Sequence, residues 1–492
     1  MKNRTIGKPI LSNFIWRFAE RSGAQIVQVI VSIVLARILM PSDYGVVALM
    51  TVLIEVLTVF INCGLGSALI QKKNADNIDF STVFYVQISL CVLFYLGLFF
   101  ASPYVAQFYE KPEMTAMIRV LSLTLIIAGV KNIQVAYISK NMQFKRFFFA
   151  TLGGTVGAAF IGIGMAVAGF GAWALIVQSL FNNTIDTAIL WISVKWRPIK
   201  AFSLKRLKGL FSFAWKLLAS SLLNAIYNNL RSLIIGKAYS SEDLAFYNKG
   251  NNWPNLIVNN INSSIDSVLL PAMSKEQDDK STLKAMTRRA IKTSTYVMAP
   301  LMMGLAFTGE PLVRILLTEK WLPCVPFQVI FCITYMFWPI HTANLNAINA
   351  LGRSDIFLKL EIIKKVVGLI ALAITVPIGV MAMGYSLLFT SLASQIINAW
   401  PNKKLLNYGY LEQLKDILPG ILLAVAMGCC IYPIQWIGLP DIVTLCIQVP
   451  LGAIIYIGGS KLFKLESFEY LLGMVKSYLI NKKNKKSNEE ND

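Results

Sequence analysis

The amino-acid sequence predicts an all-α polytopic membrane protein with about 14 transmembrane helices, and three observations support this. Of its 492 residues 55% are hydrophobic and only 15% are charged, whereas a soluble chain carries about 25% charged residues. The mean hydropathy is +0.58. Apolar runs of about 20 residues, the length needed to cross the hydrocarbon core, recur along the chain. Because these runs are continuous rather than alternating, they predict helices and not barrel strands.

The predicted spans are separated by short polar segments, and their boundaries come from where each apolar run ends. The division between the fifth and the sixth span is marked only by Gly169 and Gly171. The predicted spans are residues 11–38, 44–70, 80–101, 114–138, 148–169, 171–193, 209–235, 244–270, 290–317, 326–350, 357–379, 381–400, 415–436 and 442–461.

The charge distribution predicts the orientation. The net charge of +20 arises from 46 Lys and Arg against 26 Asp and Glu. In a soluble chain such an excess would suggest a nucleic-acid partner, but here it is better explained by basic cytoplasmic loops. With the N-terminus inside, the outer loops hold few cations, and the even number of spans places both termini in the cytoplasm. The outer cations are Arg37, Lys111, Lys237 and Lys320.

An internal repeat predicts the domain organisation. Residues 14–17 read FIWR and residues 213–216 read FAWK, and after one gap Asp43 aligns with Asp243. Such weak similarity over half a chain is typical of transporter repeats, although chance similarity between apolar helices is the alternative. An even number of intervening spans gives the halves one orientation, hence a parallel pseudo-twofold relation. The predicted parts are six-helix bundles at 1–200 and 201–402, two extra helices at 403–463 and a cytoplasmic tail at 464–492, which begins as an interfacial amphipathic helix.

Polar stripes along the first and seventh spans predict a cavity. A charge at the bilayer centre costs about 2.5–3.5 kcal/mol or more, so such residues face a bundle interior or water. Snorkelling is the alternative for Arg17 and Lys216, which lie near helix ends. The stripe of the first span holds Arg17, Arg21, Gln25, Gln28 and Ser32, and that of the seventh holds Lys216, Ser220, Asn224, Tyr227 and Arg231.

Further polar residues lie in the second, fourth, eighth and tenth spans. The repeat pairs Glu55 with Asn255, in an eighth span rich in Asn, where Pro254 predicts a bend or a break. Amides also bind helices to one another, which is the alternative for part of this set. At an offset of 210 Lys131 corresponds to His341. A lone intramembrane His is either a hydrogen-bonded packing residue or a proton carrier.

The sequence contains no signature of catalysis. There is no phosphate-cradling glycine loop after a strand, and His341 is the only histidine. Seven cysteines lie in or beside apolar runs without metal-ligand spacing. No enzyme, metal or cofactor is therefore expected. An excess of cations over anions in the predicted cavity suggests an anionic ligand, such as a phosphate or an acidic sugar.

Several strings resemble a known family. They are LARILMPSDYG (35–45), VAQFYEKPEM (105–114), LLPAMS (269–274), LLTEKW (316–321) and NALGRSD (349–355). They are similar to the polysaccharide-transport family, the O-antigen and capsule-type flippases, of the multidrug/oligosaccharidyl-lipid/polysaccharide exporter superfamily. The resemblance implies two six-helix bundles in a V plus two extra helices. It also implies transport of an oligosaccharide linked to undecaprenyl diphosphate across the bacterial inner membrane. The family has no invariant catalytic motif to transfer.

Three other functions remain as alternatives. A multidrug or small-molecule exporter of the same superfamily should have a more acidic or apolar cavity and often only twelve spans. A membrane-embedded polysaccharide polymerase or acyltransferase should have a long polar outer loop, and a structural assembly subunit would not need charged stripes. The expected partners are the lipid-linked oligosaccharide, membrane lipids and other polysaccharide-assembly proteins, without nucleic acid.

Overall fold

The computed structural model describes residues 7–62, 64–141, 143–474 and 476–477, and only the backbone of residues 7–22, 144–146 and 213. Within these ranges the chain forms eighteen α-helices and two short 3-10 helices, without a β-strand. The predicted all-α class is therefore confirmed. The first nine helices are α1 Gly7–Ile38, α2 Pro41–Asn62, α3 Leu65–Gln71, α4 Asn77–Phe108, α5 Met114–Leu121, α6 Leu123–Lys140, α7 Phe144–Val167, α8 Ala172–Ser193 and α9 Leu204–Ala238.

The second nine helices follow in the same order. The 3-10 helices are Glu319–Cys324 and Tyr432–Ile437. The α-helices are α10 Ser241–Lys275, α11 Lys280–Phe307, α12 Gly309–Leu317, α13 Val325–Met336, α14 Trp338–Ala350, α15 Ser354–Thr375, α16 Val380–Leu405, α17 Tyr410–Ile431 and α18 Asp441–Leu462.

The helices match the predicted apolar runs, and each of the fourteen runs lies on one helix or on two consecutive ones. In the described part of the chain, eight helical stretches are long and apolar enough to cross a membrane, or ten if each of two bent pairs is one span. The chain is thus a multi-pass membrane protein. The number fourteen stays a prediction, because α8, α10 and α15 fall outside this criterion and α1 contributes only the shorter apolar stretch Gly23–Ile38.

Several runs predicted as single spans are divided into two helices. The run 290–317 forms α11 and α12, which are bent by 66°. The run 114–138 divides at Ser122, whose hydroxyl donates to the Arg119 carbonyl at 3.0 Å. The run 326–350 divides before Pro339, which has no N–H to continue the α13 ladder. Hydropathy misses these breaks because they depend on local backbone hydrogen bonds. The predicted break at Pro254 is absent, since α10 continues through it.

The chain divides into two compact units, Met1–Ala245 and Phe246–Asp492. The boundary lies beyond the predicted one at residues 200 and 201, because α9 packs on α2, α3 and α4 of the first unit. The six-plus-six arrangement and its pseudo-twofold axis therefore stay predictions.

The ends of the helices nevertheless repeat at the spacing read from the sequence. Helix α1 ends at Ile38 and α9 ends at Ala238, 200 positions later. The starts of α2 at Pro41 and of α10 at Ser241 are also 200 positions apart. Both starts are capped in the same way. Asp43 Oδ2 accepts from the Met40 N–H at 3.0 Å, and Asp243 Oδ2 accepts from the Ser240 N–H at 3.3 Å. This shared geometry supports the proposed repeat.

In the first unit, α7 and α8 form a tight helical hairpin. The turn between them uses Gly169 at φ 83° and Gly171 at φ 54°, backbone angles that favour glycine. This turn confirms the division between the fifth and sixth predicted runs. Further along the hairpin, a Cβ at Gly154 would lie 3.0 Å from the Asn182 carbonyl oxygen. The absent side chain therefore lets α8 approach α7 closely.

The segment that connects α8 to α9 is fixed to the first unit. Trp196 is buried and packs its ring near those of Phe80 and Phe84. Gln134 donates to the Trp196 carbonyl at 3.3 Å, and the Ile199 N–H donates to the hydroxyl of Ser81 at 3.0 Å. This connection is therefore held by α4 and α6 rather than being a loose linker.

In the second unit, α17 packs along α11 and is tied to it by ions. Arg288 donates to both Asp416 oxygens at 2.7 and 2.8 Å, and the Tyr408 hydroxyl donates to the same carboxylate at 2.8 Å. Lys292 also pairs with Glu466, after α18. The two predicted extra helices thus belong to the second unit. Residues 466–474 of the predicted tail are helical, and residues 478–492 lie outside the described residues.

Candidate functional site

An ion pair joins α6 to α8 within the first unit. Lys131 Nζ lies 2.8 Å from Asp186 Oδ2, and the two side chains are only 23% and 13% exposed. Asp186 lies next to Gly154 of α7, where an added Cβ would come within 3.1 Å of the Asp186 Cβ. The close α7–α8 packing thus holds the carboxylate against α6. The positive charge of Lys131 is neutralised inside the unit.

Two further polar contacts join α6 to α2 and α2 to α9. Asn132 donates to the Asn62 side-chain oxygen at 2.6 Å, and Asn229 donates to Glu55 at 3.3 Å. Glu55 and Asn62 are seven positions apart and so lie on one face of α2. These six residues, which we call the charged band, are Glu55, Asn62, Lys131, Asn132, Asp186 and Asn229. The band carries two carboxylates and one cation, whereas the sequence predicted an excess of cations over anions in the cavity.

The second unit has a neutral counterpart of the ion pair. Asn398 Nδ2 lies 2.9 Å from His341 Nδ1. Because an amide nitrogen can only donate, Nδ1 accepts and the neutral ring carries its proton on Nε2. His341 corresponds to Lys131 at the predicted offset of 210, and Asn398 follows Asp186 by 212 positions. The α6–α8 contact of the first unit is therefore ionic, and the α14–α16 contact of the second unit is neutral.

Three buried amides join α14, α16 and α17. Asn344 and Gln413 exchange hydrogen bonds of 2.8 and 2.9 Å, and Asn402 donates to the Asn344 side-chain oxygen at 2.6 Å. All three side chains are fully buried. Since buried amides are costly unless paired, this network fixes the first extra helix to the second bundle. Its role is packing, which was the alternative weighed for amides in the membrane.

The Asn residues of α10 are more exposed. Asn259 donates to the Asn255 side-chain oxygen at 3.0 Å, and the Tyr335 hydroxyl donates to Asn251 at 2.8 Å. Asp266 accepts from Asn346 at 2.7 Å. Parts of this helix surface therefore have polar groups available for a ligand.

The predicted site residues have different surroundings. The side chains of Arg17 and Arg21 lie outside the described residues, although both positions are on α1. Glu55 and Lys131 belong to separate contacts of the charged band, Glu55 with Asn229 and Lys131 with Asp186. The structure brings no other predicted site residue into these contacts. Gln25, Lys131, Arg231, Asn255 and His341 are half-buried, and Gln28, Glu55, Lys216 and Asn224 are exposed.

Asp186 was missing from the predicted site. The signal was present, since Asp186 is the only acidic residue of the predicted span 171–193. An intramembrane carboxylate is by default a functional candidate. Among the described residues no three His, Cys, Asp or Glu side chains are grouped for a metal ion.

Outside the predicted spans, an ionic cluster joins the start of α4 to that of α9. Asp76 caps α4 in a reciprocal capping box with Asp79. Arg206 lies 2.5 Å from Asp76, and its hydrogen bond is the main cause that lowers the pKa of the Asp76 carboxyl to about 2. Lys72 pairs with Asp79 at 2.6 Å. Asp76 therefore stays ionised at neutral pH, and the contacts of Arg206 with Asp76 and Asp79 hold α9 to α4.

The described part of the chain is thus a helical multi-pass membrane protein with paired polar residues inside its units. Solved structures share this fold. The lipid II flippase MurJ in an inward closed conformation matches with a TM-score of 0.72 and 14% identity, over 91% of this chain and 98% of that one. An inward-facing multidrug transporter of the MATE family matches with a TM-score of 0.60 and 14% identity, over 78% of this chain and 94% of that one.

The family model described as polysaccharide biosynthesis protein matches residues 34–326, and the chain belongs to this family. The teichuronic acid biosynthesis protein TuaB of Bacillus subtilis (strain 168) is 23% identical over 81% of this chain and 84% of its own length. The succinoglycan biosynthesis transport protein ExoT of Rhizobium meliloti (strain 1021) is 24% identical over 64% of each chain. The lipopolysaccharide biosynthesis protein WzxC of Escherichia coli (strain K12) is 22% identical over 74% of each. The predicted resemblance is confirmed.

Proposed function

We propose that this protein is a flippase that moves a lipid-linked oligosaccharide, of the undecaprenyl-diphosphate type, across the bacterial inner membrane. It works by alternating access, with both termini in the cytoplasm. The family membership carries the proposal, because relatives across the matched length are named for polysaccharide biosynthesis and one of them for transport. The fold it shares with a lipid II flippase supports the same class of substrate.

The polar residues of the membrane helices supply a physical reason for such transport. A diphosphate headgroup and its sugars cannot enter the hydrocarbon core without polar partners. Arg231 on α9 and Lys131 in the charged band are cations on helices of the first unit. Charge-assisted hydrogen bonds to a phosphate are roughly twice as strong as neutral ones. Arg231, Lys216 and Lys131 are therefore the described candidates for the diphosphate, Lys131 once its ion pair with Asp186 opens. Arg17 and Arg21 complete the proposed set.

The alternative is a multidrug or other small-molecule exporter, and one observation favours it. The charged band contains two carboxylates, Glu55 and Asp186, which suit a cationic substrate. The similarity to the MATE fold agrees with either function.

The test is transport by the purified full chain in liposomes. The probe is a polyprenyl diphosphate that carries a fluorescent oligosaccharide, and a membrane-impermeant reductant quenches the label in the outer leaflet. We expect the protein to make the inner-leaflet fraction accessible, and the Arg231→Ala variant to lose most of this activity while Arg231→Lys keeps part of it. A cationic dye is assayed in parallel. Movement of the dye without the lipid would establish the alternative and refute the flippase.

A further inference from the structure

One face of α10 is lined with polar side chains, of which all but one are uncharged. Asn248, Asn252, Asn255, Asn259, Ser263 and Asp266 follow each other at steps of three or four positions, which places them on one side of the helix. We call these six residues the amide face. Asn252, Asn259, Ser263 and Asp266 are exposed, and Asn248 and Asn255 are half-buried. All six belong to the second unit.

The amide face has unused capacity for hydrogen bonds. Each Asn side chain offers two N–H donors and a carbonyl with two acceptor sites. Among the described residues, neither Asn248 nor Asn252 has a side-chain partner, and the Asn259–Asn255 bond of 3.0 Å uses only one donor and one acceptor. Asp266, its one charged member, is bound by Asn346. Lipid cannot satisfy these groups, so the face requires water or a ligand rich in hydroxyl groups.

An exposed aromatic residue lies close to α10 and is linked to this helix through Tyr335. The Tyr335 hydroxyl donates to Asn251, the neighbour of Asn252, at 2.8 Å. The Tyr335 ring contacts that of Trp338, with centroids 5.4 Å apart, and Trp338 is 39% exposed. The C–H face of a sugar ring packs on the negative face of an aromatic ring. Amides beside an exposed indole are therefore suited to a carbohydrate.

The first unit lacks this surface at the corresponding positions. The offset of 200 pairs Asn252 with Val52 and Asn259 with Val59. Helix α2 has Glu55 as the one charged residue in that stretch, within the charged band. The two halves of the sequence thus differ in chemistry, with charges in the first and neutral amides in the second. A repeat that only packed helices together would not need this difference.

We propose that the amide face of α10, with Trp338, is the subsite for the sugar residues of the substrate. This inference rests on the proposed flippase function. It adds that the second unit recognises the sugar part of the substrate. Side-chain amides both donate to and accept from sugar hydroxyls, so they suit a glycan without regard to its charge. The face contains no Lys or Arg, and the diphosphate is not assigned to it.

The test compares two probes that share one lipid and one diphosphate but differ in the glycan. One probe is a polyprenyl diphosphate with a single N-acetylhexosamine, and the other carries a tetrasaccharide. The double variant Asn252→Val with Asn259→Val installs the residues of α2. Two neutral hydrogen bonds are lost, so KM for the tetrasaccharide lipid should rise about tenfold. KM for the monosaccharide lipid should change less than about twofold.

Two further variants complete the experiment. Asn260→Val alters a neighbouring Asn of the same helix, which lies off the face and donates to its own Leu256 carbonyl at 2.9 Å, and it should leave the ratio of the two KM values unchanged. Trp338→Leu should raise KM for the tetrasaccharide lipid alone. This variant tests the glycan subsite if the double variant does not fold. An unchanged ratio in an active protein, or an equal rise with Asn260→Val, would overturn the glycan subsite only. Failure of the unmodified protein to move either lipid would refute the flippase itself.

Discussion

Lys131 and Asp186 illustrate what a charge inside a membrane helix requires. Removing one partner of a buried ion pair leaves the other charge uncompensated and costs about 3–5 kcal/mol, whereas replacing both with apolar residues is often neutral. Both side chains keep some exposure, so we expect the lower end of that range. Lys131→Met and Asp186→Leu should each lower the thermal stability of the purified protein, and the double variant should recover most of it.

The thermal stabilities of the single and double variants are compared in detergent at one protein concentration, and binding of the diphosphate lipid is measured in parallel. If the double variant unfolds as early as the single ones, the pair is not what stabilises this contact. A double variant that is stable but binds the lipid poorly would show that Lys131 also has a role toward the substrate.

At the level of single residues the sequence predicted part of this site. A polar residue within an apolar run is visible in the sequence, which is why Lys131, Glu55 and His341 were found. Partners are not visible, because Asp186 meets Lys131 from 55 positions away. The pairing depends on which helices are neighbours, and one periodic stripe does not specify that.

Among the helices, two glycines allow α2 to meet the junction of α9 and α10. A Cβ at Gly45 would lie 1.7 Å from the Ser241 carbonyl oxygen, and one at Gly236 would lie 2.2 Å from Leu49 Cδ2. The first obstacle is backbone and the second is a flexible side chain. We therefore expect Gly45→Ala to cost stability at the upper end of the about 1–3 kcal/mol typical of overpacking, and Gly236→Ala less.

Thermal unfolding of the purified variants measures both effects. Leu49→Ala should relieve Gly236→Ala and should not relieve Gly45→Ala. Gly97→Ala is the matched control, because nothing lies within 4 Å of a Cβ there and a helical Gly→Ala change gains about 0.5–1 kcal/mol. Equal destabilisation at Gly45 and Gly97 would contradict the close contact.

The positions of most helices could be predicted from hydropathy, whereas their internal breaks could not. The apolar runs predicted helices over the correct stretches, including the α7–α8 division at Gly169 and Gly171. Runs such as 290–317 hide a bend of 66°, because the residues on both sides are equally apolar. The break lies at Thr308, whose hydroxyl donates to the Gly304 carbonyl at 2.7 Å. Hydropathy does not detect such a hydrogen bond.

For the whole molecule, the predicted orientation has a direct test. Single cysteines at positions 200 and 280 should react with an impermeant reagent only from the cytoplasm, and those at 111 and 320 only from outside, in a chain without its seven native cysteines. The reason is the bias of Lys and Arg toward cytoplasmic loops. Reaction of positions 200 and 111 from the same side would refute the alternation of spans and, with it, the parallel repeat.

The sequence also anticipated the spacing of 200 between halves, which the ends of α1 and α9 reproduce. It did not anticipate that the compact units divide at residues 245 and 246. The repeat records similarity along the chain, whereas a compact unit is defined by contacts. Helix α9 follows the sixth predicted span yet packs on α2, and only three-dimensional contacts reveal that.

The tight α7–α8 hairpin has a consequence for how the chain is made. Ribosomes add about 5–20 residues per second, so Asp186 emerges about 3–11 s after Lys131, which precedes it by 55 positions. During that interval Lys131 has no carboxylate from α8 to neutralise it. Because α7 and α8 are adjacent in the chain and joined by a turn at Gly169 to Gly171, loop closure between them costs little. The hairpin can therefore enter the bilayer as one unit and bring the carboxylate of Asp186 to Lys131, so a translational pause between these two residues would prolong the time that Lys131 spends without its partner.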